Sequence, residues 1–462
     1  MLLALLCPVL AQDADPDLLA TSAEPEALSE DAPLRAPPPQ LEDLVPGLQE
    51  RVFDNGLRVT VFTDPDLPVV ATQHWVHIGS SHESDAERGL AHFFEHLMFG
   101  DTSETAEGDY FDWHLQHGGY NNAYTSADET VYLSEIVPAA HDRVLELEAL
   151  RFQQLVLDEL ALERERLVVQ EELRQRTQND PITRLALRLQ TDLLGTHPYA
   201  ITPAGTLEDL DVMTVESLRA FYDAWYRPNN VHIVVVGPIS AERTFSVVDE
   251  LYGDWTAGTA VRPEVPSLET WAFPESVEVT EDIPPVKVGA LSYPLPAVGG
   301  ADTWAVDLML GLINGQSVNP FRELHVDQER RALEGMGGGG RQKAGGQLIF
   351  LSLSLPLRSE LKLFTLLERS LTQFNELDWL TQERLDQERK RMQRSTLSDT
   401  YYADDRASSL GRAHWHMGDT ELGFRPHLAY DQVTLEQVRD AYARYVIDAT
   451  PVRIYAHKGD GQ

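Results

Sequence analysis

The sequence predicts an α+β chain built from two homologous units, each a mostly antiparallel sheet flanked by helices. Three observations carry that prediction. Short apolar or alternating runs, such as residues 57–62 and 231–236, read as strands. Longer stretches, such as 141–176 and 182–194, carry helical spacing. Finally, Asp211, Thr214, Glu216 and Arg219 reappear as Asp431, Thr434, Glu436 and Arg439 at one constant offset, each set opening a helix that leads into a strand, 231–236 and then 452–455. A chain of 462 residues is also longer than one hydrophobic core usually serves.

The elements follow in order. Residues 1–11 hold an apolar run ending Val9-Leu10-Ala11, whose small residues suit a signal-peptidase site even though a basic start is missing, so the expectation is a signal peptide and a periplasmic or secreted protein. Residues 12–50 are acidic and proline-rich, with Pro37-Pro38-Pro39, and read as a flexible leader. At Arg51 the texture changes: Val52-Phe53, the Asp54-Asn55-Gly56 turn and residues 57–62 predict a hairpin. Residues 69–78 predict a second strand, 86–99 a helix stopped at Gly100-Asp101, and 124–137 a strand. A Pro- and Thr-rich stretch, 256–276, predicts a linker between a first unit, 51–255, and a second, 277–462. The glycine run 337–340 predicts a flexible loop or hinge, and no Lys-Ser/Thr pair accompanies it to make a phosphate cradle.

Composition narrows the function. With 37 Lys+Arg against 74 Asp+Glu the formal charge is −37, a field that repels phosphate backbones and anionic lipid, so nucleic acid is excluded as a partner. The single cysteine, Cys7, lies in the leading apolar run, so neither disulfides nor thiolate ligands are expected in a processed chain. No later apolar run is long enough to span a bilayer.

Chemistry concentrates in His92-Phe93-Phe94-Glu95-His96. On a helix His92 and His96 lie one above the other on one face, so both imidazoles can reach one ion, and the spacing suits zinc. Glu95 points beside that face and can take a proton from a metal-bound water without ligating. The pattern inverts the commoner His-Glu-x-x-His arrangement. His74, His114 and His117 are expected to be core or surface residues, and His414 and His416, two apart on a helix, point to different faces and are read as surface or packing. A third ligand is expected in the helical stretch 163–176, where Glu165 and Glu172 share a stripe, so that one can ligate while the other orients the ligands. Spacing leaves Glu171 and Glu172 both open.

With these residues the chain resembles the pitrilysin/insulinase-like zinc metallopeptidases of the half-length, two-domain bacterial type. Their inverted motif is followed, at about the distance from His96 to Glu172, by a ligating glutamate. The resemblance implies Glu172 as third ligand, Glu95 as base, Glu165 as supporting acid and one zinc per chain. The stretch Gly118-Gly119-Tyr120-Asn121-Asn122-Ala123-Tyr124-Thr125-Ser126 is similar to the family's substrate-binding edge strand, which implies that Asn122 and Ala123 hold peptide. His197-Pro198-Tyr199 and Tyr226-Arg227-Pro228-Asn229-Asn230 resemble the family's turn and its lead into the last strand of the first unit. The implied activity is a metalloendopeptidase acting on peptides or unfolded segments in a closed chamber, this chain being one half of a clamshell. Where relatives complete the site with an Arg and, seven residues on, a Tyr, this chain has His325 and Ala332. The implied partner is therefore a second peptidase-like chain that supplies the pair, in a heterodimer, with a homodimer as the other arrangement. The reading from a different class is a non-catalytic assembly or scaffold subunit that retains the fold; the intact set His92, Glu95, His96 and Glu172 argues against it.

Overall fold

The computed structural model describes residues 47–459 except 179–180, 316–318, 400 and 425, and over that range the runs rich in β-branched residues pair into two sheets. The signal-like run and the leader up to residue 46 lie outside the described residues. The first sheet contains β1 (Leu48–Val52), β2 (Arg58–Thr63), β3 (Val70–Val76), β4 (Tyr120–Thr125), β5 (Thr130–Ile136) and β6 (Val231–Gly237), in the order β1-β2-β6-β3-β5-β4. The second contains β7 (Ser276–Glu281), β8 (Lys287–Leu295), β9 (Glu334–Gln342), β10 (Gly345–Ser354) and β11 (Val452–Lys458), in the order β7-β11-β8-β10-β9. Each sheet has a single parallel pair, β2 with β6 and β7 with β11. Strand for strand, β7, β8, β9, β10 and β11 therefore repeat β2, β3, β4, β5 and β6.

Helices repeat as well. The first unit supplies α1 (Leu90–Leu97), α2 (Asp109–Gln116), α3 (His141–Gln154), α4 (Glu159–Gln178), α5 (Pro181–Leu194), α6 (Val215–Trp225) and α7 (Ala241–Tyr252). The second supplies α8 (Thr303–Asn314), α9 (Glu360–Glu376), α10 (Gln382–Asp399), α11 (Ala403–Met417) and α12 (Leu435–Tyr442). The repeated threonines begin equivalent helices. Thr214 accepts from the Ser217 amide at 3.2 Å and Thr434 from the Gln437 amide at 3.2 Å, each inside a capping box that satisfies donors a helix start leaves open.

The two units exchange a helix. One face of the first sheet packs on α1, α3, α4, α6 and α7 through Phe93, Phe94, Phe152, Val169 and Phe221, among others. Its other face, with Phe62, Trp75, Val234 and Val236, is covered by Ala403, Ala407 and Leu410 of α11 from the second unit. Reciprocally, Leu185, Leu189 and Leu193 of α5 cover Val277, Val279, Val288 and Ala290 of the second sheet. Burial on both faces explains why β6 reads as a continuous apolar run: Ile233 and Val235 face one layer, Val234 and Val236 the other. At Gly411 a Cβ would run into the Trp75 indole, so α11 lies flat on the sheet only with glycine there.

Three expectations are corrected at the level of elements. The single strand over 124–137 is the hairpin of β4 and β5, turned at Ser126, whose hydroxyl accepts from the amides of Asp128 (3.0 Å) and Glu129 (3.1 Å). The helical stretch 141–176 is two helices, because Leu155 is bridged to Thr102 and Asp158 starts a new helix by accepting from the Ala161 amide at 2.9 Å. The glycines 337–340 form no loop or hinge; they lie inside β9. Added Cβ atoms would meet the Phe350 ring at 2.8 Å from Gly337 and the Leu348 backbone at 2.8 Å from Gly339, so glycine is there for close packing.

Candidate metal centre

The site begins with where α1 starts. Gly89 stands in the left-handed region at φ 82, and the buried carboxylate of Glu83 accepts from the Gly89 amide at 2.8 Å and the Ala91 amide at 2.7 Å. This side chain does the work of an N-cap from six residues upstream, and the helix it starts is shorter than the predicted 86–99. The apolar side of α1, Leu90, Phe93, Phe94 and Leu97, sinks into the core and leaves His92 and His96 facing α4. Tyr132 fixes the middle of the helix by donating to the Phe94 carbonyl at 3.2 Å, with its own oxygen 2.6 Å from that of Tyr226.

Helix α4 brings the carboxylates. Glu172 Oε2 lies 3.3 Å from His96 Nε2 and 3.7 Å from His92 Nε2, while Glu165 Oε2 lies 3.8 Å from the other nitrogen of His96, Nδ1. Arg164 donates to Glu165 at 3.0 Å. The open choice between Glu171 and Glu172 is resolved by direction: Glu171 points outward, beside Gln175 and Arg174, and Glu172 points at the histidines. One ligand atom from each of His92, His96 and Glu172 lies within 4.8 Å of the others. Two imidazoles and a carboxylate, largely shielded by protein, match the three-ligand set of a zinc site that keeps one position open, so the residues present fit that ion. Electrostatics agree. Burial disfavours a charged His96, but the carboxylates of Glu172, Glu95 and Glu165 outweigh it and hold its pKa above the ordinary histidine value, so the site prefers a positive charge at this spot.

Glu95 stays outside that triangle, and Thr125, at the end of β4, donates its hydroxyl to Glu95 Oε2 at 2.7 Å. Asn122 and Ala123 lie on the same edge strand. Asn122 is exposed, and its Oδ1 accepts from the Ala123 amide at 2.9 Å. The roles of Thr125 and Glu83 were not anticipated. Thr125 shares the strand side of Ala123 by two-residue periodicity, a signal that points to it, whereas nothing in the local pattern marks Glu83 as a helix cap.

Of the histidines expected in the core or at the surface, His74 and His114 are buried and His117 is exposed. His114 lies between the Tyr110 carbonyl and the Ser134 hydroxyl, and His74 is 3.0 Å from the Tyr252 hydroxyl. His325 is fully buried with its ring nitrogens 2.6 Å from Ser370 Oγ and 2.8 Å from Ser352 Oγ. His416 meets Asp128 and Glu129 in a second His/carboxylate grouping. There Tyr199 and the Lys343 amide already donate to Asp128, and His416 Nε2 is 3.2 Å from Glu129 Oε2.

Comparison with known proteins agrees with this geometry. Residues 58–206 match the family model described as Insulinase (Peptidase family M16), and residues 213–396 match the one described as Peptidase M16 inactive domain. The chain is 28% identical over 304 residues to the zinc protease PqqE of Helicobacter pylori, covering 63% of this chain and 66% of that protein. It is 31% identical over 238 residues to the probable zinc protease PqqL of Escherichia coli, covering 49% of this chain but 25% of that one. The chain thus spans about two thirds of the first relative and a quarter of the second. Among solved structures, a protease from Helicobacter pylori superposes with a TM-score of 0.79 at 23% identity, covering 89% of this chain and 99% of that chain. The first half of the periplasmic protease PqqL from Escherichia coli gives 0.70 at 19%, covering 90% and 92%. Both likenesses concern the fold.

Proposed function

The chain belongs to the insulinase family of peptidases, family M16, its two family models together matching well over half of it, and from that premise we propose that it is a zinc-dependent metalloendopeptidase. The observation that carries the proposal is the convergence of His92, His96 and Glu172 within 4.8 Å, with Glu95 one residue from His96 and held by Thr125. In this reading His92, His96 and Glu172 hold one zinc, which when bound supplies Lewis-acid polarisation of the scissile carbonyl and eases loss of a proton from the attacking water. Glu95 accepts that proton on its carboxylate and delivers it to the leaving amine. Glu165, beside Nδ1 of His96, orients the ring. The outer edge of β4 around Asn122 and Ala123 takes the substrate as an added strand, which selects extended peptide over folded protein.

A second peptidase-like chain completes the chamber and brings the Arg and Tyr that polarise the carbonyl. The support is that His325, at the position expected for one of them, is buried between two serines and cannot serve. Export to the periplasm is supported by the signal-like residues 1–11 and by the likeness to PqqL, a periplasmic protease. No helix among the described residues is long and apolar enough to cross a membrane.

The experiment is metal analysis with activity. The wild-type chain is expected to hold one zinc and His96→Ala none, while Glu95→Gln keeps the zinc and loses cleavage of an unstructured peptide by about 100-fold or more. Zinc absent from the wild type after reconstitution would make this a subunit that keeps the fold for assembly. Full activity in Glu95→Gln would remove the base from the mechanism.

A further inference from the structure

The turn that follows Thr125 is gripped by the other unit. Ser126 to Glu129 closes β4 onto β5, with Ser126 accepting from two turn amides and its own amide donating to the Glu129 carbonyl at 2.8 Å. Asp128 is 3% exposed and Glu129 5%. Tyr199 donates to both oxygens of Asp128 at 2.9 and 3.0 Å. From the second unit, the Lys343 amide in the β9–β10 turn donates to Asp128 Oδ2 at 3.2 Å, and the Ala344 amide donates to the Tyr199 oxygen at 2.8 Å. Trp415 on α11 donates its indole N–H to the Asp128 carbonyl at 3.2 Å, and His416 meets Glu129. Trp415 is itself immobilised: His77 stacks on it at 3.9 Å, and Lys343 and Arg262 lie 3.1 and 4.3 Å from its ring centroid. A side chain held on so many sides anchors the turn, and three residues before Asp128 stands the hydroxyl that holds Glu95.

We propose that Trp415, with the Lys343-Ala344 turn and Tyr199, forms a clasp that positions the general base: by fixing the 126–129 turn it fixes Thr125 and, through that hydroxyl, Glu95. The inference rests on the peptidase reading above and gives the second unit, which matches an inactive-domain model, a part in the reaction. Thr125 and Trp415 are positioning residues, since each acts through another group. Because Tyr199, Lys343 and His416 already serve the buried carboxylates, the cluster is a clasp and not an ion site.

The test pairs kinetics with hydrogen exchange on the full zinc-loaded chain with whatever partner it co-purifies with. Thr125→Val and Trp415→Phe are each expected to keep one zinc and to lower kcat about 10-fold or more with KM moved less than about twofold, because a base out of place by an ångström costs rate before binding. Thr125→Ser restores the rate. The double variant Thr125→Val/Trp415→Phe loses no more than the worse single change, since both cut one line of support. Amides of residues 125–130 exchange faster in Trp415→Phe. Should that change disturb folding, Tyr199→Phe removes one hydroxyl of the same clasp at constant shape and is expected to act alike. Multiplicative losses in the double variant, a rise in KM at unchanged kcat, or unaltered exchange in 125–130 would overturn the clasp. A wild type that holds zinc and cleaves nothing would instead sink the peptidase reading, and the exchange result would still decide whether the clasp orders the turn.

Discussion

Glu83 shows how much one side chain far from the motif can decide. Its carboxylate is buried, and burial pushes its pKa up to about 8 against the pull of the Ala91 and Gly89 amides, with Glu87 and Asp209 nearby adding to the rise. A carboxyl whose folded pKa lies above its unfolded value near 4.5 binds more protons folded than unfolded between those limits, so its share of stability is present at low pH and drains away as pH rises from about 4.5 to about 8. Glu83→Gln keeps one acceptor for the α1 start and removes the charge. At pH 5 the Glu83 carboxyl is protonated and, like the amide, offers one carbonyl acceptor, so the variant is expected to be less stable by no more than about 1 kcal/mol. By pH 9 the gap narrows or reverses, because the variant escapes the cost of burying an ionised group. Thermal unfolding of both proteins at the two pH values checks this, and parallel curves would show that Glu83 does not titrate in this range. The ligating face of the site was legible because helical spacing alone sets His92 above His96. Glu83 was not, since it acts across a turn of chain that sequence distance does not measure, and Thr125 was legible only as a strand position on the side of Ala123.

At the level of elements, what could be read from the sequence depended on whether the cause was local. The capped helices at Thr214 and Thr434 and the Gly56 turn were legible because caps and turns are short-range. The break between α3 and α4 was not, because it is set by a bridge from Leu155 to Thr102. The glycines of β9 are the plainest case: by composition they read as a hinge, yet they are an edge strand whose outer side is held by asparagine amides. The Asn314 side chain donates to the Gly339 carbonyl at 3.2 Å and accepts from its amide at 2.9 Å, and Asn319 does the same for Gly337 at 2.5 and 3.2 Å. In the repeat β9 takes the place of β4, so the edge proposed to take substrate in one unit is closed in the other. Gly339→Ala separates the two descriptions by sign. In a flexible hinge the change would stabilise by about 0.4–1 kcal/mol through the unfolded chain. In this packed strand it is expected to destabilise by about 1–3 kcal/mol, since the new methyl meets the backbone of Gln347 and Leu348. Urea midpoints decide between them.

Across the whole molecule the exchange of α5 and α11 ties the units together, since each sheet loses the cover of one face if the other unit opens. Unfolding is therefore expected in one calorimetric transition, and two separated transitions would show that the exchanged helices do not couple the units. The internal repeat made two units legible from the sequence, but nothing in a pairwise likeness says which sheet a helix will cover. The same buried interior sets the response to acid. His74 and His141 in the first unit and His325 in the second are lowered to about 4, in each case first by burial, and His77 and His232 are held well below the ordinary histidine value for the same reason. A base whose folded pKa lies below its unfolded value near 6.5 binds fewer protons folded than unfolded between those limits, so its contribution is whole above about 6.5 and is lost as pH falls towards 4. Glu83, Asp128 raised to about 6 by burial and by Glu129, Glu135, Asp404 and Asp405 raised first by burial, and His96 pull the other way, but they face a larger set of lowered imidazoles drawn from both units, with His82, His114, His197 and His414 beside those already named. The imidazoles win, and the unfolding temperature is expected to fall steadily between pH 6.5 and 4.5 while the transition stays single. His325→Gln, which removes one titrating ring between Ser352 and Ser370, is expected to make that fall shallower even where it lowers stability at pH 7. An unfolding temperature that holds or rises down to pH 4.5 would mean that the buried histidines accept protons without opening the fold.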